Sequence, residues 1–581
     1  MSRSLTVAQY LAQDLHSRGI EFVYELTGGM IVLLLDAIHT SAEIEIISVH
    51  HEQAAGFMAE GQSRVSGKPA VAFATSGPGA TNLLTAIASC YFDSSPVVFI
   101  TGQVNTDELS VNSGRRQGGF QETDIVAMAT PVTKWAKRVE DSVAFPEILD
   151  EAFNIASSGR QGPVLLDIPM NIQKSLISLR ASPAPEELFS PFVDEDSSEE
   201  KTDFVQNLME ALASSQRPLI IAGGGIRSSQ GVKEFRDLVA KWNIPVVTSL
   251  MGHDSVSIDS PQRVGFFGSY GNRWANWAIS ESDLLLVLGS RLDIKQTGSD
   301  VAGFAEGRKI FHVDIDEHEL NSRVAGCFTL EDDLKAFIHT LIYESYQMNV
   351  SSEWLQEINS KRLRWPDEAE NIPSSGINPN LAIKNICLEW TDIHCYVSDV
   401  GQHQMWMAQS LRLTEDQRFI TSGGLGAMGF GLPAAIGAAI GSKSPVCLIA
   451  GDGGFQLNIQ ELQTLVRLDL PLRIIVIDNG CHGMVRQFQQ SYLDSRYPSS
   501  RWGYSAPEFC AIGNAYGIAT IHIESERELQ HALKEAMKEP EKAILLHIKI
   551  DADLNAYPKL AFGQAFGSME PETKPLAMEP T

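Results

Sequence analysis

The segment Gly451-Asp452-Gly453-Gly454, followed 27 positions after its Asp by Asn479-Gly480-Cys481, constrains this chain more than any other stretch. An apolar-periodic run, Ile459 to Leu468, lies between the clusters and is followed by β-rich Leu472 to Ile477. That order predicts a strand ending in Gly-Asp-Gly, a helix, and a second strand ending in Asn. An Asp carboxylate and an Asn amide at two strand ends are hard oxygen donors. They suit an octahedral Mg²⁺ that also holds a diphosphate. Glycines beside the Asp let backbone N–H groups come close to phosphate oxygens. Taken alone, the same pattern also fits an ordinary βαβ unit with a glycine turn.

At 581 residues the chain is too long for one core, and about three or four domains are expected. The pattern predicts an α/β protein of three domains, each a mostly parallel sheet flanked by helices. Residues 1–180 alternate helical runs with short apolar strands that end in small-residue turns, as at Val71 to Ala74 and Val97 to Ile100. A Pro-rich, acidic stretch, 181–203, reads as a linker. A second α/β block covers 204–345, and polar, irregular 345–378 reads as another linker. A third block covers 379–550 and looks like the same kind of unit as the first. The tail, 551–581, has little periodicity and is expected to be disordered or an ordering lid.

The net charge of −27 argues against a nucleic-acid groove or an anionic membrane surface as the partner. Seven scattered cysteines without a C-x-x-C pair argue against disulfides or a zinc site and fit a reducing compartment. No apolar stretch is long enough to span a membrane, and the N-terminus enters a helical pattern at once. A cytoplasmic protein is expected.

Other segments carry chemistry. Glu52 opens a helix in His51-Glu52-Gln53-Ala54-Ala55, just after the strand Ile44 to Val49. Such a Glu is either a charge favoured by the helix dipole or a carboxyl group used for proton transfer. Val400 to Trp406 and Thr421 to Gly431 are glycine-rich turns before helices. They serve either phosphate binding or close helix–strand packing, and the sequence leaves both open.

Together these segments resemble the thiamine diphosphate (ThDP) dependent decarboxylase/carboligases, and within them the catalytic subunit of acetolactate (acetohydroxyacid) synthase. The matching stretches run in order: His51 to Ala55, Thr75 to Asn82, Thr101 to Val104, Phe120 to Asp124, Gly401 to Trp406, Ser422 to Gly431, and the Gly-Asp-Gly…Asn segment. The resemblance implies a pyrimidine-binding first block, a central flavin-binding block and a diphosphate-binding third block. It implies that Glu52 activates the cofactor. It implies that Asp452, Asn479 and the carbonyl of Cys481 hold Mg²⁺. Gln402, His403, Gly426, Gly451, Gly453 and Gly454 would bind ThDP with them, and Met428 would brace its bent shape. Gly29, Phe120, Gln121 and Lys134 match family positions near the reacting carbon. Arg160, Gly223, Gly224, Gly225, Ser249, Leu250, Gly289, Arg291 and Asp293 match positions that contact a structural FAD. Related central domains bind another nucleotide or none. A homodimer or homotetramer is implied, since the activating Glu and the diphosphate site come from different subunits.

Departures from that family bear on the second substrate. Where the family has Gly-Ala-Arg-Phe-Asp-Asp-Arg-Val-Thr-Gly, this chain has Lys295 at the second Arg, which loses the bidentate fork. A family Trp that favours a larger acceptor is Phe488 here. A longer segment, Ser110 to Gly119, carries Arg115 and Arg116, suited to a substrate phosphate or to a solvated loop. The expected reaction joins a two-carbon unit from pyruvate to a second carbonyl compound. The alternatives are a keto-sugar nucleotide acceptor, which gives a branched sugar, and an FAD-dependent pyruvate oxidase.

Overall fold

Short apolar runs separated by helices become three six-stranded sheets in which every neighbouring pair is parallel. The computed structural model describes residues 4–41, 43–110, 114–178, 199–343 and 352–577. In the N-terminal sheet the spatial order is Glu45–Ser48, Phe22–Leu26, Ala70–Ala74, Val97–Gln103, Val164–Pro169, Trp135–Arg138. In the C-terminal sheet it is Arg418–Thr421, Cys395–Ser398, Val446–Gly451, Leu472–Asp478, Ile544–Lys549, Ala519–Ile523. Counted along the chain within each sheet, both run 2-1-3-4-6-5. The likeness of the first and third blocks is therefore one of topology. Strands such as Ala70–Ala74 and Val97–Gln103 are buried throughout, as parallel strands covered on both faces must be.

The central sheet differs. Its order, Arg263–Phe266, Val246–Thr248, Pro218–Ala222, Leu284–Leu288, Lys309–Asp314, Phe328–Glu331, is 3-2-1-4-5-6 along the chain. That is the doubly wound dinucleotide-binding order, with its crevice where strands Pro218–Ala222 and Leu284–Leu288 meet.

Two helices join the outer domains. Glu52–Ser66 crosses Gly431–Ser442 so closely that a Cβ at Gly61 would lie 2.1 Å from the Ala434 carbonyl oxygen. One at Gly437 would lie 1.9 Å from that of Met58. The backbones meet because neither position carries a side chain. Ion pairs tie the central domain to both neighbours, through Arg160 of the N-terminal domain on Asp316 and Glu319 and through Arg418 of the C-terminal domain on Asp254, which also pairs with Arg227 of its own domain. Asp254 takes Arg418 at 2.9 Å and Arg227 at 3.2 Å. Burial works against its charge, but the two guanidinium groups hold its carboxyl down at about 2.

Two expectations need correcting. Within 345–378, residues 352–364 form a helix, Ser352–Arg364, whose Trp354 and Ile358 are buried on the central domain. Trp354 donates its indole N–H to the Pro218 carbonyl at 3.1 Å. The acidic stretch also ends earlier, since helix Glu199–Ser214 begins inside it, while 179–198 lie outside the described residues. The tail is ordered as far as described. Lys559–Leu560 pairs antiparallel with Met569–Glu570, and Phe566 stacks edge-on against Phe304 at 5.1 Å.

Candidate active site

The C-terminal ends of strands Val446–Gly451 and Leu472–Asp478 lie side by side, and Gly451 is paired with Ile477. Asp452 and Asn479 therefore leave adjacent strands at the same edge, where open α/β sheets bind ligands. Both are buried. Burial, with Asp478 nearby, pushes the Asp452 carboxyl up to about 7. A carboxylate so disfavoured is one that a cation beside it would stabilise. Its Oδ2 accepts a hydrogen bond from the Tyr504 hydroxyl at 2.9 Å. Asn479 is fixed on both sides. Its Oδ1 accepts the Cys481 N–H at 3.2 Å, and its Nδ2 donates to Gln402 Oε1 at 3.1 Å. The donor set is all oxygen, the chemistry that suits Mg²⁺.

Next to these donors the chain leaves room and an unpaired polar atom. His403 is buried and neutral, its imidazole pulled down to about 4 by burial, and its Nε2 has no hydrogen-bond partner. A Cβ at Gly451 would lie 2.9 Å from His403 Nδ1, and one at Gly401 would lie 2.8 Å from the same ring. The glycines thus make space for the imidazole and leave its buried Nε2 available to a ligand. Met428 reaches the same place, its Cε 3.4 Å from a Cβ at Gly453. The turns around it need glycine: Gly426 and Gly429 have φ of +69° and +85°. Asp399, which the sequence reading missed, locks this loop. Its carboxylate accepts the N–H groups of Gly429 and Gly431 at 3.1 and 3.0 Å, and burial raises it to about 6. Tyr504 was missed too, and lies in an irregular stretch with no sequence signal. Asp399 had one, as an acidic residue at a strand end before a glycine turn.

In the N-terminal domain, Glu52 is the first residue of helix Glu52–Ser66 and only 7% exposed. Its Oε2 accepts from Asn82 Nδ2 at 2.9 Å, and a Cβ at Gly79 would press on its Oε1 at 3.2 Å. Gly29 stands in open space beside Gly28, whose Cβ would strike Thr75 at 2.5 Å. Gln121 adopts φ +65°, a strained backbone for a non-glycine residue, and packs its carbonyl against Gly77. Phe120 next to it is 80% exposed. These residues share the edge of the sheet where the strands end.

Lys134 does not. It precedes strand Trp135–Arg138, at the opposite edge, and its backbone N–H donates to Pro163 at 2.9 Å. Its ammonium donates to the carbonyls of Ile155 and Ser158, the latter at 2.7 Å, capping the C-terminus of helix Phe145–Ser157. Burial lowers its pKa to about 8. A cation there stabilises a helix end by about 0.3–1 kcal/mol. Lys134→Met is therefore expected to lower the melting temperature slightly and leave turnover at the wild-type level. Loss of activity in a fully folded variant would return Lys134 to the site.

The residues expected at a flavin line one cleft of about 2430 Å³ between the domains, apart from Gly223. Gly223 and Gly225 have a packing role. A Cβ at Gly223 would lie 1.9 Å from the Gly289 carbonyl oxygen, and Gly225 N–H donates to that oxygen at 3.0 Å. Gly224, Ser249, Leu250, Gly289, Arg291 and Asp293 border the cleft from the central domain. Arg160 enters it from the N-terminal domain, bound at 2.8 Å to both Asp316 and Glu319.

Lys295 and Phe488, from different domains, meet in a smaller pocket of about 220 Å³ that the ordered tail closes with Lys559 and Phe562. Arg115 and Arg116 are exposed and line neither space. Residues 111–113 of their loop lie outside the described residues.

Comparison with known proteins agrees with this geometry. Models of the thiamine pyrophosphate enzymes match all three domains: the N-terminal TPP-binding domain at residues 5–128, the central domain at 205–341 and the C-terminal TPP-binding domain at 399–548. The chain is 36% identical to the acetolactate synthase isozyme 2 large subunit of Escherichia coli K12, over 97% of this chain and 98% of that protein. It is 35% identical to the acetolactate synthase large subunit of Lactococcus lactis, over 96% and 94%. It is 33% identical to the mitochondrial acetolactate synthase catalytic subunit of Saccharomyces cerevisiae, over 98% and 85%. With the fold, the strand-end donors and near full-length likeness in agreement, this chain belongs to the thiamine pyrophosphate enzymes of the acetolactate synthase large-subunit type.

Proposed function

We propose that this protein decarboxylates pyruvate and joins the remaining two-carbon unit to a second carbonyl compound, giving acetolactate when the acceptor is another pyruvate. The observation that carries this reading is the cradle at Asp452, Asn479 and the unpaired His403 Nε2, in a chain matched end to end by acetolactate synthase large subunits. ThDP, held by Mg²⁺, supplies the carbon nucleophile. Asp452, Asn479 and the Cys481 carbonyl hold the metal, and Gln402 and His403 take the diphosphate with the N–H groups of Gly453 and Gly454. Glu52 would hold the proton that the pyrimidine ring of the cofactor needs for its activation. Phe120, Gln121 and Gly29 would stand near the reacting carbon.

Glu52 hydrogen-bonds within its own domain, while the diphosphate cradle is built wholly from the C-terminal one. Together with the exposed Phe120, this supports a homodimer, alone or paired as a tetramer, in which Glu52 serves the partner's cofactor. The central strand order and the cleft at its switch point support a bound FAD in a structural role. Seven unpaired cysteines support a cytoplasmic setting, and no described helix is long and apolar enough to cross a membrane. Lys295 and Phe488 shape the acceptor pocket.

The test is to incubate the purified protein with ThDP, Mg²⁺ and pyruvate, with and without a second keto acid, and identify products by mass spectrometry. Acetolactate and CO₂ are expected, with a flavin absorbance that pyruvate does not bleach. No CO₂ release would refute the reading, and rapid bleaching would make the protein an oxidase.

A further inference from the structure

A second group of ligating atoms stands at the outer edge of the C-terminal sheet. His522 and His547 lie on the two outermost strands and are partners in register, Cα opposite Cα. Glu508 and Cys510 come from the start of helix Phe509–Ala515, where the Glu508 carboxylate accepts the Cys510 N–H. One ligand atom from each of the four lies within 4.8 Å of all the others.

The hydrogen bonds behind the two histidines decide what these atoms are. His547 Nε2 stands 2.8 Å from Asp478 Oδ2, and Asp478 also pairs with Lys549 at 2.6 Å. His522 Nε2 stands 3.1 Å from Glu524 Oε1. A carboxylate only accepts, so in each neutral ring the proton belongs on Nε2, which leaves Nδ1 with a lone pair unless a second proton sits there. Those lone pairs face each other at 3.4 Å. Glu508 Oε1 adds a third, 3.1 Å from His547 Nδ1 and 3.9 Å from His522 Nδ1. Three acceptors so close repel unless a positive charge sits among them. With Zn–N bonds of about 2.0–2.1 Å, ligand nitrogens in a tetrahedral zinc site stand about 3.3 Å apart. The two Nδ1 atoms already hold that spacing.

We propose that Glu508, Cys510, His522 and His547 form a tetrahedral zinc site, with Asp478 and Glu524 as the carboxylates that orient the two histidines. Two imidazoles and a sulfur select zinc over magnesium, which separates this site from the oxygen donors at Asp452 and Asn479. A carboxylate behind each ligating histidine is the usual support of such a site. Four protein ligands close the coordination shell, which makes the role structural. Zinc binding displaces the Cys510 thiol proton to solvent, and the half-exposed Glu508 and His522 give the ion its way in. The ion pins the edge strand Ala519–Ile523 to strand Ile544–Lys549, whose His547 reaches Asp478, one residue before Asn479. A single proton shared between the rings would meet the same repulsion without a metal, so the two are separated by experiment.

The purified protein, kept in ThDP and Mg²⁺, is dialysed against 1,10-phenanthroline and then titrated with Co²⁺. One cobalt per chain is expected, with a thiolate-to-cobalt absorption band that stoichiometric Zn²⁺ abolishes. Cys510→Ser should remove the band. His522→Gln should weaken Zn²⁺ binding by more than the ~10–100-fold typical of an outer-shell partner. Both side chains reach solvent, and circular dichroism checks that the variants fold. Absence of the band in wild type, or Co²⁺ binding unchanged by both substitutions, would overturn the site in favour of the proton.

Discussion

Glu52→Gln is expected to leave the protein folded and to lower turnover by about 10²–10⁴-fold, the usual worth of a positioned proton-transfer group. The substitution changes little else. Glu52 is buried at the start of its helix, and Asn82 donates to it at 2.9 Å. A glutamine oxygen accepts that bond equally well, and the side chain keeps its shape against Gly79. What the amide cannot do is hold and return a proton to a ring nitrogen. The checks are pyruvate consumption at saturating cofactor beside a thermal melt. Wild-type turnover in the variant would remove Glu52 from the chemistry, and a collapse of the melt would make its role one of folding.

Much of this site is legible in the amino-acid order, because parallel sheets bring strand ends together. Gly-Asp-Gly and Asn-Gly-Cys each close an apolar run, and adjacent parallel strands put Asp452 beside Asn479. Glu52 can be located for the same reason. Lys134 shows where such reading fails. Only 13 positions separate it from Gln121, yet the chain between them runs back to where the next strand begins, so the sheet puts them at opposite edges. Distance along a chain says little once a crossover intervenes. Helix Ser352–Arg364 escapes notice because its burial rests on Trp354 and Ile358, amid polar residues. The tail escapes because backbone pairing and a few aromatic contacts hold it, and neither leaves a periodicity. The proposed zinc site is one that cysteine spacing does not reveal. A search for C-x-x-C pairs passes over four ligands assembled from a turn and two register-paired strands.

Asp452→Asn separates cofactor binding from folding. In the wild type, burial and the nearby Asp478 disfavour the Asp452 carboxylate, so its charge is a burden to the protein without metal and an asset with it. The amide removes that burden at nearly constant shape, and its oxygen still accepts from Tyr504, which holds Oδ2 at 2.9 Å. The variant without cofactor is expected to melt at or above the wild-type temperature. Adding ThDP and Mg²⁺ at a hundred times the dissociation constant stabilises a wild-type protein by about 2.7 kcal/mol. At the same concentrations the variant should gain almost nothing, because losing a direct metal ligand costs more than the ~10–100-fold of an outer-shell change. Paired melts with and without cofactor read both effects. An equal cofactor-induced shift in the two proteins would place the metal elsewhere, whereas a variant that melts well below wild type without cofactor would make Asp452 a structural residue.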